Sequence, residues 1–225
     1  MKRSLGEKVF QIFDLIVMVF IIIIVILPLM HIFSISVSDS VAISNMQVGL
    51  FPKGFNPAAY KKIIRDVIFM RAFLNTVFVT VVVTSLSLIV TTMIAYALSK
   101  DYFFGKKFVI YYFIVTMYFS GGLIPTYLLI SRYLKLNNNY LAYILPALVN
   151  IFYMIVIKSQ IEAVPQSLME AAYIDGAGEY QVLFKIIFPV ILPTIAAIGM
   201  FTALGSWNMW YSVLLYASRR EMWTL

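Results

Sequence analysis

The chain has 225 residues, 62% of them apolar and only 12% charged, with a formal net charge of +7 and a mean hydropathy of +0.93. So few charges cannot clothe a water-soluble domain of this length, and uncharged helices that are apolar on every side require lipid or an interior larger than 225 residues can enclose. With no cysteine, disulfides and thiolate metal sites are excluded.

Crossing a hydrocarbon core of about 30 Å takes roughly 20 apolar residues in helical form. Five uncharged runs meet that length: residues 15–33, 72–99, 108–131, 136–157 and 186–218. The first follows Lys2, Arg3 and Lys8, as a secretory signal would, but it continues through Leu29, Met30, His31, Ile32 and Phe33. That exceeds a signal core of about 7–15 residues, so it reads as a retained span. An internal N-terminus places Lys2, Arg3, Lys8, Lys100, Lys106, Lys107, Lys158 and Lys185 inside against nine basic residues outside. The raw count does not decide, and the density of charge in the short segments before the first span and over 100–107 favours this orientation.

Residues 34–71 contain Pro52, Gly54 and Pro57, then Tyr60, Ile63, Ile64, Val67 and Ile68 at helical spacing. The pattern predicts a loop followed by a short surface helix over 58–70, either a rim for an external partner or a solvated connector. In the second run Thr76, Thr80, Thr84, Ser87 and Thr91 share one face beside Asn75, as a helix-packing seam or a pore lining. Pro28, Pro125, Pro146 and Pro193 each remove a backbone donor and predict bends, and Gly121, Gly122 and Pro125 together predict unwinding within the third run.

Residues 158–189 are different in kind, because two lysines stand there against Glu162, Glu170, Asp175 and Glu179 in an otherwise basic chain. A segment lying on anionic headgroups would be rich in Lys and Arg, so this one suits a protein partner with basic groups. Ser167-Leu168-Met169-Glu170 fits a capping box with the helix beginning at Leu168, and small Ala171 and Ala172 offer little bulk to a docking surface. Asp175-Gly176 gives a stop in which Gly takes the left-handed conformation, and a second helix runs from about Glu179 to Pro189. In the fifth run Gly205, Ser206, Trp207, Asn208, Met209, Trp210 and Tyr211 are consecutive. Their flat aromatic faces and Asn208 form either a solute path or an interfacial aromatic belt.

No phosphate loop of the form G-x-x-x-x-G-K-[ST] and no dinucleotide fingerprint is present, and His31 is the sole histidine, a packing or interfacial residue. No charge interrupts the five runs, which argues against an ion-coupled secondary transporter. A membrane-anchored assembly factor would need neither kinked spans nor polar stripes.

Glu170-Ala171-Ala172, three residues, Gly176, nine residues, and Ile186-Ile187-Phe188-Pro189 resembles the EAA loop of bacterial ATP-binding-cassette importer permeases, with Phe188 where the family usually has Leu. The fuller form from Pro165 through Asp175-Gly176-Ala177 to Pro193 is similar to the carbohydrate-uptake branch, as are 120–125 and 205–208. The resemblance implies an all-α, polytopic bundle forming one permease domain over 1–225, with a cytoplasmic coupling helix within 158–189. It implies a non-enzymatic subunit that binds no cofactor, ATP being used by two partner ATPases. The remaining partners it implies are a second permease, an extracytoplasmic sugar-binding protein, lipid and a carbohydrate, with no nucleic acid. The carried-over coupling positions are Glu170, Ala171, Ala172, Asp175, Gly176, Ala177 and Pro189; the candidate solute path is Trp207, Asn208, Trp210, Tyr211 and Thr84. The expected location is the bacterial cytoplasmic membrane. Family members usually carry a sixth span after the fifth, so the chain is expected to be a fragment. The nearest alternative is an amino-acid or peptide permease of the same class.

Overall fold

The computed structural model describes residues 5–225, which contain helices and no strand. Lys2 and Arg3, used above for orientation, lie outside the described residues. The chain divides into two compact units, Met1–Val67 and Ile68–Leu225.

In the first unit, α1 (Leu5–Ser36) runs unbroken through Pro28, so the bend predicted there does not end the helix. Its apolar surface is exposed throughout, as expected of a retained span facing lipid or another chain. The following loop is folded. Ser34 Oγ donates to the Leu50 carbonyl (2.5 Å), His31 Nδ1 to that of Gly49 (3.0 Å), and the Lys53 amide to Ser38 Oγ (3.0 Å). These bonds fold the connector back on the end of α1, and the histidine is a loop anchor. Asp39 caps the short α2 (Ser40–Ser44) by accepting from the Val41 amide. The surface helix α3 spans Ala58–Arg65, shorter than predicted, because Asp66 turns extended (ψ 113°) and a new helix starts at Val67.

The second unit is built on α4 (Val67–Ser99). At ~1.5 Å per residue its 33 residues reach ~50 Å, and they include neither Pro nor Gly. Every later uncharged run is broken. The third becomes α5 (Lys106–Tyr118) and α6 (Leu123–Tyr133), bent by 111° where Gly122 sits at φ +83°. Unwinding at the glycines is as predicted, but Pro125 does not kink a helix. It occupies the first turn of α6, where an amide would have no helical partner.

The fourth run gives α7 (Leu141–Ala147) and α8 (Ile151–Glu162), bent by 46° and restarted by Asn150, whose side chain accepts from the Tyr153 amide (3.1 Å). The fifth run is the largest departure from a single span. It contains the end of α10 (Glu179–Val190), α11 (Leu192–Trp207) after an 83° bend at Ile191, and α12 (Trp210–Tyr216). Pro193 is the second residue of α11 and starts that helix instead of kinking it. Among the described residues two helices are long and apolar enough to cross a membrane, and up to five spans result if each bent pair counts as one.

Two buried clusters share α4. One gathers Val79 and Val83 of α4 with Ile130, Tyr143, Ile144, Val213 and Tyr216. The other gathers Ala95, Tyr96 and Leu98 with Met154, Ile157 and Ile161 of α8, and Val182, Leu183 and Ile187 of α10. Of the hydroxyl stripe on α4, Thr76, Ser87 and Thr91 are buried and Thr80 and Thr84 half-buried, and Thr91 Oγ1 donates to the Leu148 carbonyl (3.3 Å). Asn75 bonds across the unit, donating to the carbonyls of Glu221 (2.7 Å) and Trp223 (2.9 Å) and accepting from the Tyr140 hydroxyl (2.9 Å). These are packing contacts, and Ser87 of the same face also stands in the wall of a cavity.

Candidate functional site

The acidic segment forms α9 (Gln166–Ile174), a bend, and α10. The helix begins at Gln166, two residues earlier than predicted, because Pro165 (φ −55°, ψ 127°) supplies the entry. Ser167 therefore lies within the first turn, and no side chain caps the end: the predicted capping box with Glu170 does not form. The stop is as expected. Gly176 sits at φ +81°, its amide donates to the Tyr173 carbonyl (3.0 Å), and the Ala177 amide reaches back to that of Ala172 (2.9 Å). These are the paired bonds of a Schellman closure.

The seven coupling candidates divide by exposure. Glu170, Ala171, Asp175 and Gly176 face outward on α9 and the bend, and neighbouring Ile174 is 86% exposed. Ala172 turns inward at 8% exposure and packs in the cluster with Leu98 and Ile161, with Ala177 against its edge. The small residue at 172 thus permits close approach to the chain's own helices. Pro189 is exposed near the end of α10, after a wide-turn segment over Val182–Ile187.

A polar knot that sequence reading missed fastens this segment. The Glu179 carboxylate accepts from the hydroxyls of Tyr96, Tyr102 (2.8 Å) and Tyr173, the last lying 2.9 Å from both oxygens. Lys100 Nζ stands 3.6 Å from the carboxylate, donates to the Tyr173 hydroxyl (2.9 Å) and lies over the rings of Tyr96 and Tyr173. Burial pushes the Glu179 carboxyl up, but the three hydroxyls and the Lys100 charge outweigh it and hold it below the usual carboxylate range. Burial and the bond to Glu179 push Tyr102 up to about 12. The available signal was Lys100 flanked by Tyr96 and Tyr102 at the end of a span, with Tyr173 six residues before an acid.

A second set, Lys106 with Asp101 (3.1 Å) and Glu162 (3.6 Å), and Lys158 with Glu162 (2.7 Å), ties the start of α5 to the end of α8. Two of the four acids of 158–189 are therefore matched within the chain. Glu170 and Asp175 make no ion pair among the described residues.

A cavity of about 400 Å³ lies among α4, α6, α7, α8, α11 and α12. Ser87, Thr126, Asn150, Tyr153, Thr202 and Ser206 contribute to its wall, and no charged side chain does. None of Trp207, Asn208, Trp210, Tyr211 and Thr84 lines it, although Gly205, Ser206 and Met209 do. Trp207 meets Phe73 edge-on (6.1 Å), Trp210 meets Tyr211 (5.6 Å), and Asn208 Nδ2 donates to the Leu204 carbonyl (2.8 Å) at the break between α11 and α12. The Thr84 hydroxyl is buried without a hydrogen-bond partner among the described residues.

Tyr143, 2% exposed, has a buried hydroxyl with no hydrogen-bond partner among the described residues. An unpaired buried hydroxyl costs about 1–3 kcal/mol, so Tyr143→Phe is expected to stabilise the protein by ~1 kcal/mol in thermal unfolding in detergent.

No family model matches the chain. It is 35% identical over 199 residues to the polygalacturonan/rhamnogalacturonan transport system permease protein YtcP of Bacillus subtilis (strain 168), covering 88% of this chain and 69% of that protein. It is 34% identical to Protein LplC of the same organism over 225 residues, covering 100% of this chain and 76% of that one. A crystal structure of a bacterial ABC transporter involved in the import of the acidic polysaccharide alginate contains a chain that superposes with a TM-score of 0.90 at 30% identity, over 99% of this chain and 79% of the other. Apolar helices and these relatives together make this a multi-pass membrane protein. The EAA-type loop on a bent, all-helical bundle, matched along nearly the whole chain in sequence and in fold, places it in the family of carbohydrate-uptake ATP-binding-cassette importer permeases.

Proposed function

We propose that the chain is one of two permease subunits that together carry an oligosaccharide inward across a bacterial cytoplasmic membrane, with its N-terminus in the cytoplasm. Two ATPase subunits supply the energy and consume the ATP, and this chain binds no cofactor of its own. A sugar-binding protein delivers the solute from outside. The observation that carries the reading is the outward face of α9, where Glu170, Ala171, Ile174, Asp175 and Gly176 are exposed while the inward face is locked to α4, α8 and α10.

ATP binding draws the two ATPases together and carries the docked helices with them. The permease pair then opens outward, accepts sugar and resets on hydrolysis. A docked partner shifts this equilibrium only through its differential affinity for the two states, so the lever must be stiff. The solute path comprises the uncharged cavity and the candidates Trp207, Asn208, Trp210, Tyr211 and Thr84 outside its wall. Named relatives handle polygalacturonan, rhamnogalacturonan and alginate, so the probes are oligogalacturonides and alginate oligosaccharides.

Because the chain has no cysteine, Ile174→Cys provides a single crosslinking point on this subunit. Capture of a nucleotide-hydrolysing subunit is expected, and failure to capture one sinks the coupling role. Glu170→Lys is expected to cut ATP-driven uptake by roughly 5-fold or more, with membrane insertion unchanged.

A further inference from the structure

The bend between α9 and α10 turns on Gly176 and Gly178, neither of which has a neighbouring atom within 4 Å of where a Cβ would stand. The angle is held by the backbone bonds that close α9 and by Ala172 and Ala177 at the buried cluster, not by packing at the glycines themselves. A side-chain tie across the glycines would stiffen this elbow against a force applied at the tip of α9. The Glu179 knot does so: Tyr173 lies before the two glycines, Glu179 after them, and the Tyr173 hydroxyl bonds both carboxylate oxygens. Tyr96 brings in the end of α4, and Lys100 and Tyr102 the turn beyond it.

We propose that Glu179 is the positioning residue of the coupling lever: its carboxylate, gathered by Tyr96, Tyr102, Tyr173 and Lys100, locks the α9–α10 elbow onto α4 so that movement of the ATPase is delivered to that span. The inference rests on the coupling role of α9 proposed above. Charge and hydrogen bonding act together here. Three hydroxyl donors fit an acceptor-only carboxylate with roughly four lone-pair sites, and Lys100 fixes Tyr173 from its other side. The groups facing Glu179 are Tyr96 from α4, Lys100 and Tyr102 from the turn after it, and Tyr173 from α9.

Because the carboxyl is held below the usual carboxylate range, the charged form persists through neutral pH. A carboxyl with a lowered folded-state value contributes above its unfolded value and loses that contribution only as pH falls through the folded one. The knot is therefore a permanent tie across the neutral range and not a switch.

The test uses the assembled transporter in proteoliposomes, with spin labels at Ser167→Cys and Phe104→Cys, both exposed. ATP hydrolysed per oligogalacturonide imported is measured alongside. The parent protein is expected to give a narrow label distance and a ratio constant across neutral pH. Glu179→Ala should broaden the distance and raise the ratio several-fold; Tyr173→Phe should lie between; Glu179→Gln, which keeps an acceptor for the tyrosines, should recover part of both. A role in folding alone would lower protein yield without changing the ratio. Glu179→Ala with the parent's distance and ratio overturns the proposal. If the parent itself imports no oligogalacturonide, that cargo assignment fails, while the label distance still decides whether Glu179 holds the elbow.

Discussion

A Gly176→Val variant is expected to enter the membrane and assemble, hydrolyse ATP, and import oligosaccharide roughly 5- to 150-fold more slowly, the span of a 1–3 kcal/mol coupling loss. The cause is backbone conformation alone. Gly176 occupies φ +81° with open space where a Cβ would go, so no clash contributes. The left-handed conformation costs an L-residue about 1–2 kcal/mol, and a β-branched side chain is the worst fit. Relaxing it removes the closing bonds from Gly176 to Tyr173 and from Ala177 to Ala172, and α9 loses its defined end. Gly176→Asn is the control, since Asn tolerates this region and should retain most of the uptake. Equal loss in both variants would show that something other than φ matters at this position.

The second large effect separates holding the lever from gripping it. Ile157, fully buried on α8, packs in the cluster that receives Ala172 of α9 and Val182, Leu183 and Ile187 of α10. Ile157→Ala should cost about 2–5 kcal/mol, through lost transfer energy and the cavity left behind. Ile174→Ala, at 86% exposure, should leave stability within ~0.5 kcal/mol yet weaken capture of the ATPase. Thermal unfolding in detergent read beside co-purification distinguishes them. Matching losses of stability in both variants would contradict the assignment of inward and outward faces.

What the chain disclosed before folding follows from the range of the interactions involved. Gly176 was readable as a left-handed stop because the constraint lies in one residue and its chain neighbours, and likewise the unwinding at Gly122. The long apolar runs were plain from lipid's demand for uncharged length. Bend angles were not, since 111°, 46° and 83° depend on which helices pack behind each break. Proline misled for the same reason: its local rule allows either a kink or a helix start, and only the observed boundary shows that Pro125 and Pro193 sit in first turns. The Glu179 knot was hidden because its members Tyr96 and Glu179 are 83 residues apart. The Ser167 capping box failed because Pro165 offered an earlier entry.

The uninterrupted α4 has one further consequence. Val83 and Ser87 stand in the cavity wall, while Tyr96, thirteen residues beyond Val83, grips Glu179, ~20 Å away along the same rod. With no glycine or proline to absorb flexure, tilting one end must swing the other. On the coupling role proposed above, the cavity wall and the Glu179 joint move as a single seesaw beam, and solute and nucleotide sense each other without any chemical relay between them.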